Sequence, residues 1–149
     1  MPKVLIIIGS KSDMEYGEIC QKQLAEFGIF GDVQVCSAHR DPQKTAELTG
    51  QAENSGYEII IAMAGLSAAL PGVSAAHSNL PVIGVPLPAA LEGLDALLST
   101  VQMPPGIPVA AVAIGKPGAK NAAVLAARIL ALKHEAVRKA LLKHRESLK

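Results

Sequence analysis

The sequence predicts a single α/β domain, built as one doubly wound parallel sheet in a flavodoxin-like, three-layer α/β/α arrangement with an extra C-terminal helix. Five short apolar runs alternate with helical segments along the 149 residues. The runs are continuously apolar, which is typical of parallel strands covered by helices on both faces. No repeat or linker divides the chain, and residues 1–149 have the usual length of one domain.

The first strand is predicted at Lys3–Ile8, a run of β-forming residues that ends at a glycine. A helix is expected at about Met14–Phe27, because small or apolar residues recur there on one face. These residues are Gly17, Cys20, Leu24 and Phe27. Ser12 and Glu15 have the spacing of a capping box at the start of this helix.

The middle of the chain contains two further strands and one helix. Asp32–Cys36 is a short valine-containing run that predicts the second strand. Asp41 followed by a proline indicates an N-cap, which predicts a helix at about 42–55. Gly56 ends that helix, and Glu58–Met63 is the third strand.

The last part of the chain continues the alternation. Residues 73–78 predict a helix of small residues without a polar face, and one of its covers would be another subunit. Strands four and five are expected at Leu80–Val85 and Ile107–Ile114. The remaining helices are expected near Glu92–Val101, after the turn at 115–120, and from about Glu135 to the end.

This order of elements predicts where a ligand binds. A flavodoxin-like sheet has the strand order 2-1-3-4-5, and its ligands bind at the carboxyl ends of the strands, beside the switch point between strands one and three. Three loops lie at that edge: residues 9–13, 37–41 and 64–70.

The composition excludes several classes of protein. Half of the residues are hydrophobic, 18% are charged, and the formal net charge is +1. Intrinsic disorder needs low hydrophobicity and high net charge, so it is excluded. A net charge near zero gives no strong field to attract nucleic acid or an anionic membrane. A surface with so few charges predicts a homo-oligomer.

Export and membrane insertion are not expected. The apolar run Val4–Ile8 is too short for the core of a signal peptide. Residues 59–91 carry no charge over a length that could cross a bilayer, but four prolines and three glycines interrupt them. Cys20 and Cys36 are interpreted as buried thiols in a reducing compartment. The sequence therefore predicts a cytoplasmic protein.

The first loop, residues 9–13, carries groups that suit a phosphorylated ligand. The hydroxyls of Ser10 and Ser12 can donate to phosphate oxygens, and the next helix adds N–H groups at its N-terminus. Asp13 can accept hydrogen bonds from sugar hydroxyls. Ser12 and Asp13 are also ordinary N-capping residues, so the loop alone leaves a structural role open.

The second loop contains the candidate catalytic residue, His39, because a histidine can both give and take a proton near neutral pH. Arg40 offers a planar fork for phosphate, and Ser37 lies in the same loop. The other histidines receive structural or solvated roles: packing or a subunit interface for His77, and solvent exposure for His134 and His144. No acid or cysteine has metal-ligand spacing to a histidine, so no metal site is expected.

The third loop is built of small or apolar residues, namely Gly65, Leu66, Ser67, Ala68, Ala69 and Leu70. It provides backbone N–H donors and a close apolar wall, but no acid or base. Such a wall suits a small, weakly polar species or an anion held by N–H groups. A loop that is small only for packing has the same composition.

A series of motifs occurs in order over roughly residues 3–132. They are Gly9-Ser10-x-Ser12-Asp13, Ser37-Ala38-His39-Arg40, the heptapeptides 80–86 (LPVIGVP) and 93–99 (GLDALLS), residues 101–109 (VQMPPGIPV), and Asn121-Ala122-Ala123. Together they resemble the PurE family of purine biosynthesis.

The resemblance implies a cofactor-independent N5-carboxyaminoimidazole ribonucleotide mutase in purine (IMP) biosynthesis, assembled as a homo-octamer. The enzyme moves a carboxylate from an exocyclic nitrogen to ring carbon C4, giving 4-carboxy-5-aminoimidazole ribonucleotide. His39 would be the acid–base, and loop 64–70 would enclose the carboxylate or free carbon dioxide. The ribose-phosphate would be held by Ser10, Asp13 and Arg40, with Ser37 and Ser12 close by.

The third loop departs from the bacterial mutases, which usually read Gly-Gly-Ala-Ala-His-Leu-Pro-Gly there. This chain has Ala69 in the place of the histidine, and with Ser67 the loop resembles the branch that carboxylates aminoimidazole ribonucleotide directly with carbon dioxide. That branch usually has a lysine where this chain has Arg40, and residues 80–109 follow the mutases. We therefore favour the mutase and keep the direct carboxylase as the alternative.

Two other classes of protein fit these residues less well. A flavodoxin-like nucleotide-binding module without catalysis, if it bound a flavin, would need aromatic residues in the ligand loops, which have none. A receiver domain would need an aspartate at the end of strand three, where Met63 and Ala64 stand. Residues 133–149 are basic enough for nucleic acid, but we interpret the helix at about 135–149 as solvated or as a subunit contact.

Overall fold

The computed structural model describes residues 1–149 and contains one five-stranded parallel sheet with the order β2-β1-β3-β4-β5. The strands are β1 (Lys3–Ile8), β2 (Phe30–Val35), β3 (Ile59–Ala64), β4 (Val82–Pro86) and β5 (Ala110–Ala111). The helices are α1 (Met14–Glu26), α2 (Pro42–Gly50), α3 (Leu70–His77), α4 (Leu94–Val101), α5 (Lys116–Leu130) and α6 (Glu135–Ser147). The predicted doubly wound fold, its strand order and the extra C-terminal helix are confirmed.

The sheet is covered on both faces, which explains why its central strands are continuously apolar. Residues 4–8 of β1 and all of β3 are buried. A cluster of 20 buried residues joins one face to α1, α5 and α6, and a cluster of 12 joins the other face to α2, α3 and α4. Five alanines of α5 are fully buried, so this helix packs closely against the sheet.

Three predicted elements have wrong boundaries, where prolines and turns interrupt the pattern. Strand β5 has two residues instead of the eight expected at Ile107–Ile114, since a proline at 108 offers no N–H to the ladder. Helix α2 ends at Gly50, and residues 51–56 form turns instead of the final turn of a helix. Helix α3 begins at Leu70, earlier than the expected residue 73.

The start of α1 also differs from its prediction. Residues 11–13 form a single 3-10 turn, in which the Ser10 hydroxyl accepts a hydrogen bond from the Ser12 N–H at 3.3 Å. Asp13 is the N-cap of α1 and makes no side-chain capping bond, so the capping box of Ser12 and Glu15 is wrong. The predicted cap of α2 is confirmed, because Asp41 Oδ1 accepts from the Lys44 N–H at 3.1 Å.

Helix α6 folds back onto the body of the domain. The His144 ring contacts the edge of Phe27 with 5.1 Å between the ring centres, and His134 Nε2 lies 2.8 Å from Glu58 Oε1. Both histidines are half-buried, so the expectation that they are solvated is wrong. The two cysteines are free and buried, as predicted. None of the helices is long and apolar enough to cross a membrane.

Candidate active site

A cavity of about 570 Å³ opens at the carboxyl edge of the sheet, within the range that small-molecule sites occupy. All three predicted loops line it, and so does a fourth loop that follows β4. The lining residues are Gly9, Ser10, Ser12, Asp13, Ser37 to Arg40, Ala64 to Leu70, and Leu87 to Ala89. Every residue that the sequence predicts as part of the site therefore borders the same space.

The loop after β1 is fixed by backbone and hydroxyl contacts. The Gly9 N–H donates to the Met63 carbonyl at 3.2 Å, which ties this loop to the end of β3. The Ser12 hydroxyl donates to the Ser10 hydroxyl at 3.1 Å. Asp13 is half-buried beside them, and burial raises the pKa of its carboxyl above the usual range, although a backbone hydrogen bond at Ser10 opposes this.

The loop after β2 is a tight turn that holds two side chains out. The Ser37 hydroxyl accepts from the Arg40 N–H at 3.1 Å, and the Ser37 carbonyl accepts from the Asp41 N–H at 2.9 Å. The His39 and Arg40 side chains are exposed at the tip, and neither makes a hydrogen bond or ion pair within the chain. Both side chains are available to a ligand.

The loop after β3 forms the opposite wall. Leu66 has φ of 55°, a left-handed conformation that is uncommon for a leucine, and its carbonyl accepts from the Ala68 N–H at 2.9 Å. Its side chain is 60% exposed, whereas Ala68 and Leu70 are buried. The wall is thus made of backbone, small side chains and one exposed leucine.

The fourth loop was missed by the sequence analysis. The Leu87 N–H donates to the Ala64 carbonyl at 2.9 Å, and the Leu87 carbonyl packs against Gly65. A Cβ at residue 65 would lie 3.4 Å from that carbonyl. The predicted strand order could have indicated this loop, because β4 lies next to β3 and the loop that follows β4 must reach the same edge of the sheet.

The site offers acid–base chemistry and anion binding. No three histidine, cysteine or acidic side chains lie close enough together to hold a metal ion. His77 lies at the exposed end of α3, outside the cavity, which leaves His39 as the one histidine that borders it. With Arg40 on the same turn and hydroxyls of the first loop opposite, the arrangement suits a phosphorylated substrate that exchanges a proton.

Comparisons with known proteins agree with these observations. Curated relatives include the N5-carboxyaminoimidazole ribonucleotide mutase of Saccharolobus solfataricus, 51% identical over 150 residues that cover 100% of this chain and 94% of that protein. The protein of the same name from Pyrococcus abyssi is 52% identical, over 100% of this chain and 85% of that protein.

A solved structure and a family description extend the comparison. The crystal structure of Treponema denticola PurE matches with a TM-score of 0.89 at 32% identity, covering 99% of this chain and 91% of that one. The family described as AIR carboxylase matches residues 3–149. This chain therefore belongs to the AIR carboxylase family, the PurE family that its sequence motifs indicate.

Proposed function

We propose that this protein is an N5-carboxyaminoimidazole ribonucleotide mutase of purine biosynthesis, a cytoplasmic enzyme that needs no cofactor. The observation that carries the proposal is that His39, Arg40 and the small-residue loop 64–70 border one cavity. Relatives about half identical over the whole chain carry this enzyme's name. Residues 1–149 act as one catalytic domain in this proposal.

The ribonucleotide is held by the first two loops. Arg40 binds phosphate oxygens through its guanidinium, and the hydroxyls of Ser10, Ser12 and Ser37 complete the contacts. Asp13 accepts from the ribose hydroxyls. The imidazole ring then extends toward loop 64–70, with His39 beside it.

The reaction needs one proton carrier. The bond between the exocyclic nitrogen and the carboxylate carbon breaks, its electron pair stays on nitrogen, and His39 supplies the proton that this nitrogen takes up. The released carbon dioxide is then attacked by C4 of the electron-rich aminoimidazole. His39 takes the C4 proton, which restores the aromatic ring and returns the histidine to its starting form.

Retention of carbon dioxide is the task of the apolar wall. The gas is small and weakly polar, and a close wall of alanine and glycine leaves little room beside it for water. The gas therefore has little space into which it can escape before C4 attacks it. Ala68 and Leu70 are buried, and the Leu87 loop closes the wall from behind.

The carboxyl donor is the test of this proposal. Purified protein is given either aminoimidazole ribonucleotide with ¹³C-bicarbonate, or the N-carboxylated ribonucleotide in the presence of ¹³C-bicarbonate. A mutase converts the N-carboxylated substrate with little ¹³C in the product, since the released gas is recaptured. The mutase would be rejected if the N-carboxylated ribonucleotide is not converted and if turnover of aminoimidazole ribonucleotide saturates with the concentration of carbon dioxide.

The direct carboxylase is the second candidate, favoured by one observation. Ala69 borders the cavity at the position where bacterial mutases usually carry a histidine. The mutase remains preferred, because the loop acts through its backbone and a side-chain change there need not change the donor. Both enzymes give the same product.

The enzyme works as a homo-oligomer, and the family resemblance indicates eight copies. Helix α4 and the turn before it expose four large apolar side chains, namely Leu91, Leu94, Leu98 and Val101. Ala76 and His77 are exposed on the neighbouring α3, and α6 lies at a further subunit contact in this proposal. Such an apolar surface is typical of a subunit interface.

The assembly is tested with Ala76→Arg. A charged side chain at a close contact between small residues should prevent assembly, with Glu47→Arg on the exposed face of α2 as the control. Light scattering should show the control at the wild-type mass and Ala76→Arg at a lower one. A wild-type mass near 15.4 kDa would reject the oligomer.

A further inference from the structure

A cavity of about 600 Å³ lies between α5 and α6, two helices that cover the same face of the sheet. Its volume is close to the 570 Å³ of the candidate active site, so it has room for a small organic molecule. This α5–α6 cavity shares no lining residue with the candidate active site. The proposed reaction therefore gives it no role.

One of the sequence motifs contributes a residue to this cavity. In Asn121-Ala122-Ala123 the two alanines are fully buried in the cluster that joins α5 to the sheet. Asn121 is exposed, lines the α5–α6 cavity and makes no side-chain hydrogen bond within the chain. Packing thus explains the alanines of the motif but not its asparagine.

The α5–α6 cavity is lined by four permanently cationic side chains and by no acid. Lys120 and Arg128 come from α5, and Arg138 and Arg145 come from α6. None of the four forms an ion pair within the chain. The whole chain has a formal net charge of only +1, so these cations concentrate positive charge at one place. Their mutual repulsion is relieved by an anionic ligand.

Helix stability does not account for all four cations. Arg128 and Arg145 lie in the last turns of their helices, where the helix dipole favours a positive charge. Arg138 lies in the first turn of α6, where the same dipole disfavours it. A cation that is placed against the helix dipole and beside three other cations indicates a ligand.

The cations form two pairs, one toward each end of the cavity. Residues 131–134 join the helices, and so short a connection makes them antiparallel neighbours. Arg128 and Arg138 lie on either side of this connection. Lys120 precedes Arg128 by eight residues, and Arg145 follows Arg138 by seven. At the rise of a helix these spacings correspond to about 12 and about 10 Å.

Apolar side chains occupy the space between the two pairs. Val124 lies midway between the two cations of α5, and Leu141 and Leu142 lie midway between those of α6. The Leu142 side chain is 62% exposed, so it is available to a ligand. The cavity thus combines positive charge at both ends with an apolar middle.

The charge at each end matches one phosphate group. A phosphate monoester carries about −1.5 to −2 charges at neutral pH, as much as one pair of cations neutralises. Arginine side chains bind phosphate oxygens through two parallel hydrogen bonds. We propose that the α5–α6 cavity binds a nucleoside bisphosphate, with one phosphate on each pair of cations. The nucleoside lies between them against the apolar side chains, and the Asn121 amide hydrogen-bonds its polar atoms.

This ligand leaves the rest of α6 free for other contacts. Lys139, Lys143 and Glu146 are exposed and do not line the cavity, so this face of α6 remains available to another subunit. The inference rests on the cavity alone and does not depend on the proposed function.

The experiment measures binding of adenosine 3′,5′-bisphosphate to the purified protein by isothermal titration calorimetry. Adenosine 5′-monophosphate has one phosphate, and adenosine triphosphate has its charge at one end only. The bisphosphate should bind at least tenfold more tightly than the monophosphate and at least threefold more tightly than the triphosphate. If the triphosphate binds as tightly as the bisphosphate, the two-ended site is rejected.

Variants locate the binding. Arg138→Gln and Arg145→Gln, one at each end of the cavity, should each raise the Kd of the bisphosphate about tenfold. The matched control is Lys139→Gln, next to Arg138 but outside the cavity, which should stay within twofold. Arg40→Ala removes the cation of the candidate active site and should also stay within twofold.

Three results would overturn the inference. The first is a wild-type protein that does not distinguish the bisphosphate from the monophosphate. The second is a Kd within twofold of wild type in both glutamine variants, and the third is loss of binding in Arg40→Ala, which would place the ligand in the active site. If Arg138→Gln does not fold, Arg145→Gln at the other end of the cavity decides. Turnover is not measured, so a failed mutase assay would reject the proposed function and leave this site standing.

Discussion

The two edges of the same sheet use their polar side chains in opposite ways. At the amino edge, Glu58 accepts hydrogen bonds from Lys133 Nζ at 2.9 Å and from His134 Nε2 at 2.8 Å. Beside it the Tyr57 hydroxyl donates to Asp32, and burial together with this contact raises the pKa of Tyr57 to about 12. Each of these groups has a partner within the chain.

At the carboxyl edge, the side chains of the histidine and the arginine of the second loop have no hydrogen-bond or ion-pair partner within the chain. His39 and Arg40 are exposed, and no other side chain binds theirs. Two histidines of one chain thus have different roles: His134 joins α6 to the start of β3, while His39 faces a cavity. A polar side chain that borders a cavity without a partner in the chain indicates a role in ligand binding. A polar side chain whose hydrogen bonds are all made within the chain indicates a structural role.

The largest effect that this comparison predicts is the loss of turnover in His39→Asn. The variant keeps the size and polarity of the side chain but cannot exchange a proton, so kcat should fall by at least about 100-fold. Substrate affinity should stay within tenfold, or about 1.4 kcal/mol. Steady-state kinetics and a binding titration measure the two quantities.

The control for this variant is the histidine of the opposite edge. His134→Asn should keep wild-type kcat and lower the free energy of unfolding, whereas His39→Asn should leave that free energy unchanged. A His39→Asn enzyme with more than a tenth of the wild-type rate would contradict the assignment.

Arg40→Ala should give the next largest effect, on KM. The lost charge-assisted hydrogen bonds to phosphate are worth about 1.5–3 kcal/mol, which corresponds to a rise in KM of roughly 10- to 150-fold. The conservative variant Arg40→Lys should recover part of the affinity, because it restores the charge without the planar fork. An unchanged KM in Arg40→Ala would remove this residue from the site.

The fold was largely predictable from the sequence, because its signals are local. A buried parallel strand must be apolar throughout, and β1 occupies the predicted residues 3–8. Asp41 before a proline marked the start of α2 correctly. The predictions are wrong where tertiary contacts determine the structure. The length of β5 depends on its pairing with β4 at the edge of the sheet. The predicted capping box does not form, because residues 11–13 adopt a 3-10 turn that Ser10 caps.

The candidate site was predictable in part for a related reason. Topology brings the ends of β1, β2 and β3 together, so loops 9–13, 37–41 and 64–70 could be selected before any contact was known. The same topology brings the loop after β4 to this edge, although that loop was not selected. The contact of the Leu87 carbonyl with Gly65 could not be predicted, because it depends on how the two loops pack. The contact of His134 with Glu58 joins residues 76 positions apart, a distance that no local pattern reports.

The smallest predicted effect concerns Glu58 at the amino edge, and it tests whether this group stabilises the fold. Burial alone would raise the pKa of Glu58, but hydrogen bonds from His134 and Lys133 outweigh it and hold the pKa below the ordinary value of 4.5. A carboxyl group whose pKa is lower in the folded than in the unfolded protein stabilises the fold when ionised. Glu58→Gln should therefore lower the free energy of unfolding at pH 7 by about 1–2 kcal/mol.

The pH dependence gives this prediction its sign. The contribution of Glu58 is complete above pH 4.5, the ordinary pKa, and it is lost as the pH falls through the lower pKa of the folded protein. Urea unfolding of wild type and Glu58→Gln should therefore differ at pH 7 and converge toward pH 3. The matched control is Glu146→Gln, which removes an exposed ion pair with Lys149. Its free energy of unfolding should equal that of wild type at both pH values. Turnover at pH 7 should stay within twofold in Glu58→Gln, and a large loss of kcat there would break the separation between a structural edge and a functional one.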